Sequence, residues 1–515
     1  MDWKKELNRL QRLRRRALGM GGPERVERQH KLGKLTARER IDRLIDPGTF
    51  VEYGMLATFF GQSPEADRYA AADAVVAGFG KIDGRACCII AEDFTVQGGS
   101  LGVSHFNKKM RMLARAGQEK TPVILLLDGG GARAEQETVE GMPYAPHHAR
   151  LARLSGLVPI ISCALGPCAG DSSLLGSLSE FIIMVEGISM FGIAGPPVVE
   201  SATSEKISKE EMAGSKVHCY ETGVADNEAT SEEHCFQLVR EYLSYFPSNC
   251  WEEPPWKKTS DDPNRRDEEL ISIVPENYLA PYDMKKVIQH VVDEGYFFEI
   301  RPFFAKNVIT CLARMDGHPV GMIANQPKVL AGALTAKAAH KARHFIEICD
   351  SFHIPLIFLA DCPGVMPGYA SEREGTLRLG LTVAYASAFV QVPTITVVLR
   401  KAFGFGGTSM GAIGSDQALI VAWPSANFAS LPARGGVAAS RAREIAVSDD
   451  PEKIRQELIR AHEEKEGPFL AAGSFRIDDV IDPRETRPLL VKMLELGRRR
   501  RIGALGPRYK YGIMP

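Results

Sequence analysis

Two stretches decide the fold of this chain: PVILLLDGGG at residues 122–131 and PLIFLADCPG at residues 355–364. Each has the composition of a buried β-strand that ends in an aspartate and a turn. A basic segment with helical periodicity precedes each stretch, and a second strand, entered through Val-Pro at Val158 and Val392, follows it. The same order of elements in both halves predicts an internal duplication.

Matches further upstream support the duplication. KIDGR at 81–85 and RMDGH at 314–318 each predict a β-hairpin, because an Asp-Gly pair supplies the positive φ angles that a tight hairpin turn needs. Earlier still, DPGTFVE at 46–52 resembles DEGYFFE at 293–299. We therefore expect two homologous domains.

The boundary between the domains is predicted from composition. Residues 251–268 are rich in proline and charge and show no periodicity, which is typical of a linker. This places the domains at residues 1–255 and 266–515. Strands alternate with helices in each half, so the predicted class is α/β with a largely buried sheet.

The composition excludes several classes of protein. The 515 residues carry a net charge of −1, which argues against a dedicated nucleic-acid binder. No apolar stretch reaches the ~18 residues that span a bilayer, and no signal or transit peptide is evident, so we expect no membrane association and a cytoplasmic protein, or a mitochondrial-matrix protein in a eukaryote. The ten cysteines form no CxxC pair and His147–His148 lacks an HExxH context, so we expect buried thiols and no metal.

Glycine-rich junctions are the candidate chemical sites. They lie at 128–133 and 166–173 in the first half and at 361–364 and 401–409 in the second. The first amides of a helix have no partner within the helix and carry partial positive charge, and glycine lets a ligand approach them closely. Such a junction can stabilise a phosphate or an oxyanion. The alternative is that these glycines only permit tight strand-to-helix turns.

Standard nucleotide and hydrolase motifs are absent from the sequence. There is no complete GxGxxG, no GxxxxGK[ST] phosphate loop and no GxSxG nucleophile elbow. Backbone electrostatics therefore remain, without an evident nucleophile. This combination suits chemistry through an enolate, in which the protein mainly stabilises charge on oxygen.

Longer motifs resemble a known family, the β (carboxyltransferase) subunits of acyl-CoA carboxylases, typified by propionyl-CoA carboxylase. The resemblance covers almost the whole chain. It is carried by KLTARERID at 34–42, DFTVQGGSLG at 93–102, GGAR at 130–133, GPCAG at 166–170, SYFPSN at 244–249, ANQP at 324–327, PGVMPG at 363–368 and DDVIDPR at 478–484.

The resemblance implies two crotonase-like domains, each a spiral of ββα units. It also implies a ring-shaped homo-hexamer, a trimer of dimers, with active sites where the first half of one subunit faces the second half of another. The implied reaction moves CO2 from carboxybiotin to the α-carbon of an acyl-CoA thioester. Biotin is expected on a separate carrier subunit, charged by a biotin carboxylase, because Val491-Lys492-Met493 departs from the family's Met-Lys-Met attachment context.

The resemblance also implies roles for individual residues. The backbone oxyanion donors would be the amides of Gly170, Asp171, Phe405 and Gly406. The acyl or biotin pocket would include Cys168, Gly407 and Thr408. The contacts to coenzyme A would come from Gly130, Gly131, Ala132, Arg133, Lys31 and Lys34. For the three basic residues the alternative is ordinary surface charge or an ion pair.

Departures from the family pattern fall on these residues. Asp171 stands where the family usually has a second glycine, and its carboxylate could occupy the amides that an oxyanion needs. The alternative is that the carboxylate points away. Phe405 also replaces a glycine, and its ring would narrow the approach. Gly407 and Thr408 replace a Tyr-Asp pair, which predicts an altered acyl pocket.

Three functions therefore remain in view. The leading hypothesis is an active carboxyltransferase with unusual acyl selectivity. The second is a biotin-dependent decarboxylase subunit, which would use the same oxyanion sites in the reverse direction. The third is a non-catalytic scaffold subunit in which Asp171 and Phe405 spoil the site. A crotonase-type hydratase is disfavoured, because neither glycine junction is followed by the paired glutamates that water addition needs.

Overall fold

The computed structural model describes residues 1–133, 146–411, 418–463, 466–502, 504–510 and 512–515. The chain divides into two compact units, Met1–Glu252 with Gly506–Pro515, and Glu253–Leu505. The second predicted domain extended to residue 515, whereas Gly506–Pro515 belongs to the first unit. The Gly506 amide donates to the Cys250 carbonyl at 2.8 Å, and the Ile513 amide donates to Ser155 Oγ at 3.1 Å.

The first unit alternates strands with helices. Its strands are β1 Val51–Tyr53, β2 Val75–Ile82, β3 Arg85–Glu92, β4 Val123–Leu127, β5 Ile160–Ala164, β6 Pro167–Ala169, β7 Phe181–Val185, β8 Met190–Gly192 and β9 Asn227–Ala229. Its α-helices are α1 Trp3–Leu18, α2 Pro23–Lys31, α3 Ala37–Leu44, α4 Val103–Glu119, α5 Pro146–Ala152, α6 Asp171–Gly176, α7 Pro196–Thr203, α8 Lys209–Ala213 and α9 Glu232–Tyr245. Short 3₁₀ segments lie at Ala71–Ala74 and Gln97–Gly99, and a π-helical segment lies at Val217–Thr222.

One mixed sheet forms the core of the first unit. Its described strands follow the order β1-β2-β3-β4-β5-β7-β9, with β1 to β3 antiparallel and the remaining pairs parallel. Every residue of β4, β5 and β7 is buried, because helices and loops cover both faces of the sheet. The continuous apolar runs that suggested buried strands are therefore explained.

The second unit has the same plan. Its strands are β10 Phe297–Ile300, β11 Val308–Met315, β12 His318–Asn325, β13 Leu356–Cys362, β14 Thr394–Phe403, β15 Leu419–Ala422, β16 Asn427–Ala429 and β17 Asp479–Val480. Its α-helices are α10 Leu270–Ile273, α11 Met284–Val291, α12 Ala336–Ser351, α13 Tyr369–Arg373, α14 Thr376–Phe389, α15 Gly404–Ser409, α16 Ala433–Ser440, α17 Ala442–Ala446, α18 Pro451–Glu463, α19 Pro468–Gly473 and α20 Thr486–Ile502. Its 3₁₀ segments are Asp293–Gly295, Leu330–Gly332 and Pro483–Glu485.

The sheet order β10-β11-β12-β13-β14-β15-β17 repeats that of the first unit, again with an antiparallel start and parallel continuation. The two predicted hairpin turns are also equivalent. The Asp46 carboxylate accepts hydrogen bonds from the amides of residues 83 and 84 at 3.1 and 2.8 Å, and Asp293 accepts from those of residues 316 and 317 at 2.9 and 2.7 Å. The predicted duplication is confirmed.

The cysteines are placed as the sequence predicted. All ten cysteines are free and buried. None of the helices in the described ranges combines the length and the apolar character that crossing a bilayer requires.

Candidate active site

Strand β4 ends at a buried aspartate that collects several partners. The Asp128 carboxylate accepts hydrogen bonds from Gln29 Nε2 at 2.9 Å, from Lys34 Nζ at 2.8 Å and from Arg40 Nη1 at 2.9 Å. Arg40 also pairs with Glu232, 2.7 Å away. The charge of Lys34 is thus engaged inside the protein, so the ion-pair alternative describes this lysine better than the predicted contact to a coenzyme A phosphate.

Strand β13 ends at the equivalent aspartate. The Asp361 carboxylate lies 3.1 Å from Arg400 Nε and 3.3 Å from Lys401 Nζ, and it accepts the Lys401 amide at 3.2 Å. Each unit therefore places one buried carboxylate at the end of its central strand, and in the second unit this carboxylate also bonds to the junction at 401–409. The duplication identified both aspartates, but the sequence did not reveal their cationic partners.

The glycine loop after β4 is fixed by backbone hydrogen bonds. The Gly130 amide donates to the Gly98 carbonyl at 2.9 Å. The Leu101 amide donates to the carbonyl of residue 131, and the Leu101 carbonyl accepts from the amide of residue 133. Arg133 pairs with Asp73 at 2.6 Å and is buried. Arg133 thus holds this loop in place through an ion pair, the arrangement given above as the alternative to its predicted contact with coenzyme A.

The junction at 166–173 turns sharply into helix α6. Gly170 adopts φ +57°, a conformation that favours glycine. Its amide donates to the Ile193 carbonyl at 3.0 Å, so the prediction that Gly170 is an oxyanion donor is corrected. Within the described ranges the amide of Asp171 has no hydrogen-bond partner. Asp171 alone of this predicted pair keeps a donor available.

The Asp171 carboxylate turns away from the helix that it begins. Oδ1 lies 2.5 Å from His147 Nε2, Oδ2 accepts from Lys109 Nζ at 3.0 Å, and the side chain does not cap its own helix. Burial disfavours the charged carboxylate, but Lys109 and His147 outweigh it and hold the pKa of Asp171 well below its usual range. The alternative in which Asp171 points away is the arrangement observed.

A buried network continues behind Asp171. Lys109 Nζ also lies 2.9 Å from the carboxylate of Glu92, which in turn accepts hydrogen bonds from Ser172 Oγ at 2.6 Å and from the Asp128 amide at 3.0 Å. Burial lowers the pKa of Lys109, but the two carboxylates outweigh burial and raise it above its usual range. Sequence reasoning missed Glu92 and Lys109, since neither lies in a motif that indicates chemistry, and it considered His147 only as a possible metal ligand.

The junction at 401–409 is the counterpart in the second unit. Gly404 adopts φ +53° and precedes Phe405, as Gly170 precedes Asp171. The amides of Phe405 and Gly406 have no hydrogen-bond partner within the part of the chain that the structure describes. The Phe405 side chain is 39% exposed, so it is not packed into the core. Gly406 must be a glycine here, because a Cβ would lie 2.5 Å from the Gly364 carbonyl carbon.

The three predicted pocket residues have different surroundings. Cys168 is fully buried, its Sγ lies 3.4 Å from the carbonyls of Leu127 and Gly166, and burial raises its pKa. It is a core residue, so its predicted place in a pocket is corrected. Gly407 packs against backbone, since a Cβ there would lie 2.6 Å from the Ala402 carbonyl carbon. Thr408 Oγ1 donates to the Gly404 carbonyl at 3.3 Å.

A basic cavity of about 730 Å³ opens beside the first junction. Its lining contains four cations and no acidic residue, together with the ring of Phe94. The cationic residues are Arg25, Arg28, Lys34 and Lys209. Lys31 is not part of the lining and pairs with Glu27 on the surface of α2, 2.7 Å away. Sequence reasoning missed Arg25, Arg28 and Lys209. The basic last turn of α2 was a usable signal for Arg28 alone.

Comparison with known proteins agrees with this geometry. A family model described as a carboxyl transferase domain matches residues 28–509. The chain is 40% identical to methylmalonyl-CoA decarboxylase subunit alpha of Veillonella parvula over 92% of each chain. It is 38% identical to the carboxyltransferase subunit of propionyl-CoA carboxylase of Haloferax mediterranei over 100% of each.

A solved structure confirms the predicted fold. A chain of the transcarboxylase 12S hexamer, solved with methylmalonyl-coenzyme A and methylmalonic acid bound, superposes with a TM-score of 0.91 at 35% identity, covering 100% of this chain and 99% of that one. The predicted α/β class with two crotonase-like units is therefore confirmed. Three observations indicate the same family: the extent of the family match, the full-length relatives and the paired glycine junctions. The chain belongs to the carboxyl transferase family, as a carboxyltransferase of the type found in propionyl-CoA carboxylases.

Proposed function

We propose that the chain is the carboxyltransferase subunit of a biotin-dependent acyl-CoA carboxylase, and that it moves CO2 from carboxybiotin to the α-carbon of an acyl-CoA. The observation that carries this proposal is the pair of equivalent junctions with amides available as donors, at Asp171 in one unit and at Phe405 and Gly406 in the other. Two oxygens gain negative charge in this reaction, the thioester oxygen of the enolate and the ureido oxygen of biotin. Each junction would stabilise one of them.

The charge distribution around the first junction supports this role. The Asp171 carboxylate is held by His147 and Lys109 and does not bind the amides of its helix. An oxyanion can therefore accept a hydrogen bond from the Asp171 amide. This arrangement argues against the scaffold hypothesis, which required Asp171 to block the site. The base for the α-proton would be biotin itself, since the junctions supply donors rather than an acceptor.

A proline substitution tests the donor at residue 171. Proline is tolerated at the first position of a helix, so Asp171→Pro removes the amide hydrogen while the helix can persist. The matched control is Asp171→Ala, which removes the carboxylate and keeps the amide. We expect kcat for carboxylation to be about 10²–10³-fold lower in Asp171→Pro than in Asp171→Ala. Equal rates in the two variants would contradict the assigned donor.

The basic cavity is proposed to bind the phosphates of coenzyme A. Arginine and lysine form charge-assisted hydrogen bonds with phosphate, and Phe94 offers an aromatic surface in the same cavity. The double variant Arg28→Ala/Lys209→Ala should weaken coenzyme A binding at least about tenfold, since each such bond contributes about 1.5–3 kcal/mol. Isothermal titration calorimetry measures the change. The control is Lys206→Ala, an exposed lysine that does not line the cavity.

The partners are proposed from relatives. The transcarboxylase 12S structure is described as a hexamer assembly, so we propose a homo-hexamer here. The biotin would arrive on a separate carrier subunit. The experiment is purification from the host, with a test for a biotinylated protein in the complex. With ATP, the complex should transfer labelled bicarbonate to an acyl-CoA. A formed complex that labels none of a broad thioester panel would contradict the proposal.

A decarboxylase subunit is the second candidate. It is favoured by the relative from Veillonella parvula, a methylmalonyl-CoA decarboxylase subunit at 40% identity. Both directions of CO2 transfer would use the same oxyanion donors at the two junctions. Release of CO2 from malonyl-type thioesters in the presence of free biotin, without ATP-driven carboxylation by the purified complex, would identify the reverse reaction.

A further inference from the structure

Two neighbouring histidines converge on the carboxylate at the first junction. His147 and His148 lie on helix α5, and their rings are 4.2 Å apart. His147 Nε2 lies 2.5 Å from Asp171 Oδ1, and His148 Nε2 lies 3.5 Å from the same oxygen. One ligand atom from each of these residues lies within 4.8 Å of the others. Adjacent helical residues point about 100° apart, so this convergence results from the choice of rotamers rather than from the helix alone.

This atom set has the composition of a site for a divalent transition metal. Two imidazole nitrogens and one carboxylate oxygen are the three protein ligands of many zinc sites that keep the fourth coordination position open. Bonds of about 2.0–2.2 Å in a tetrahedron separate ligand atoms by roughly 3.4 Å, so only small shifts of the side chains are needed. Lys109 holds the other carboxylate oxygen, Oδ2, and leaves Oδ1 for an ion.

Charge gives the reason for an ion at this place. Glu92 and Asp171 bring two negative charges, and Lys109 supplies one positive charge between them at 2.9 and 3.0 Å. These three side chains are between 0% and 8% exposed, so solvent screens them weakly. The Asp171 carboxylate thus lies beside the Asp171 amide, which would have to donate to a negative oxygen. A bound cation would remove that opposition.

We infer that His147, His148 and Asp171 form a binding site for a divalent transition-metal ion of the zinc class, with an open coordination position. No metal was predicted above, because the His-His pair lacks a recognised metal motif. The inference rests on the proposed function only for its electrostatic role beside the oxyanion donor. The binding of the ion is independent of that function.

The test is metal binding by the isolated full-length chain, without biotin or acyl-CoA. The chain is stripped with a chelator, incubated with zinc, passed over a desalting column and analysed by mass spectrometry for metal. We expect about one zinc ion per chain. Substitution by cobalt should give a visible absorption band of a low-coordinate Co²⁺ site. Because no substrate is present, failure to carboxylate would leave this result unaffected.

Variants decide whether the ion occupies this site. His148→Ala is the first variant, because its side chain is 22% exposed and its loss should be tolerated by the fold. His147→Ala is the second, and circular dichroism checks that both remain folded. Each should weaken zinc affinity by more than about tenfold and remove the cobalt band. The control His462→Ala, an exposed histidine of the second unit, should bind like the unaltered chain. Less than stoichiometric zinc in the unaltered chain, or an unchanged cobalt band in His148→Ala, would overturn the inference.

Discussion

Asp128 and Asp361 show how a single residue organises each half of the molecule. Both are fully buried at the end of a central strand. Asp128 compensates Lys34 and Arg40, while Asp361 compensates Arg400 and Lys401. Removing one partner of a buried ion pair leaves an uncompensated charge, which costs more than the pair contributes. The two aspartates are therefore points of high sensitivity.

Substitution of these aspartates tests that sensitivity. Asp128→Asn should lower the free energy of unfolding by about 3–5 kcal/mol, because two buried cations lose their common anion. Asp361→Asn should show a similar loss in the second unit. Chemical denaturation followed by fluorescence measures both. Asp83→Asn, an exposed carboxylate in the first hairpin turn, is the control and should change stability by less than ~0.5 kcal/mol. A loss below 1 kcal/mol for Asp128→Asn would show that its cations find other partners.

Sequence reasoning located the site better than it assigned the residues. The glycine junctions at 166–173 and 401–409 were predicted as candidate sites, and Gly170 and Gly404 adopt the positive φ that their strand-to-helix turns require. The acceptor that occupies the Gly170 amide, Ile193, lies in another loop, and no local pattern indicates it. The sequence also could not decide whether the Asp171 carboxylate occupies the amides of its helix or points away, because its partner Lys109 is distant in sequence.

At the scale of elements, polar side chains tie the ends of strands together. Glu180 precedes β7, and its carboxylate accepts hydrogen bonds from the amides of Gly156 at 3.1 Å and Ile160 at 2.7 Å. Burial outweighs these bonds and raises the pKa of Glu180 to about 7. Between about pH 4.5 and pH 7 the folded protein thus keeps a proton on Glu180, whereas the unfolded chain, in which the pKa is about 4.5, has released it.

This pKa shift predicts a pH-dependent effect of Glu180→Gln. The raised pKa stabilises the fold below about pH 4.5, and this contribution is lost as pH rises through about 7. The residue at position 180 does not titrate in the variant. As pH rises from about 4.5 to about 7, the free energy of unfolding of the variant should therefore increase by up to ~3 kcal/mol relative to that of the unaltered chain. Urea denaturation at several pH values measures the difference. Glu119→Gln, at the exposed end of α4, is the control. A difference that is constant with pH would contradict the prediction.

The main strands and hairpins could be predicted because each sequence pattern occurs twice, once in each duplicated half. Buried strands such as β4 and β13 stand out as apolar runs between turn signals, and both Asp-Gly hairpins form as predicted. Short strands such as β6 and β17 were not predicted, because two or three residues contain no periodicity.

At the scale of the whole molecule, one helix presents an apolar surface. Leu377, Leu381, Tyr385 and Phe389 follow one another at intervals of four residues on α14, and their exposed fractions range from 46% to 75%. Residues at this spacing share one side of a helix. A row of exposed large apolar side chains of this kind is typical of a protein–protein interface. It agrees with the proposed homo-hexamer.

The introduction of charged residues into this row tests the assembly. The double variant Leu377→Glu/Tyr385→Glu places two negative charges in the row, so we expect the proposed hexamer to dissociate to smaller species. Size-exclusion chromatography with light scattering measures the mass. Val447→Glu, a change at an exposed apolar residue outside α14, is the control and should retain the mass of the unaltered protein. An unchanged mass for the double variant would exclude this row from the interface.

The return of Gly506–Pro515 to the first unit has a consequence for biosynthesis. Residues 1–252 leave the ribosome first, but the segment that pairs with Cys250 and Ser155 is translated after all of Glu253–Leu505. At about 5–20 residues per second, the intervening stretch takes roughly 10–50 s to synthesise. During that time the nascent first unit lacks part of its packing, which makes this interval the period when a chaperone would bind it most readily.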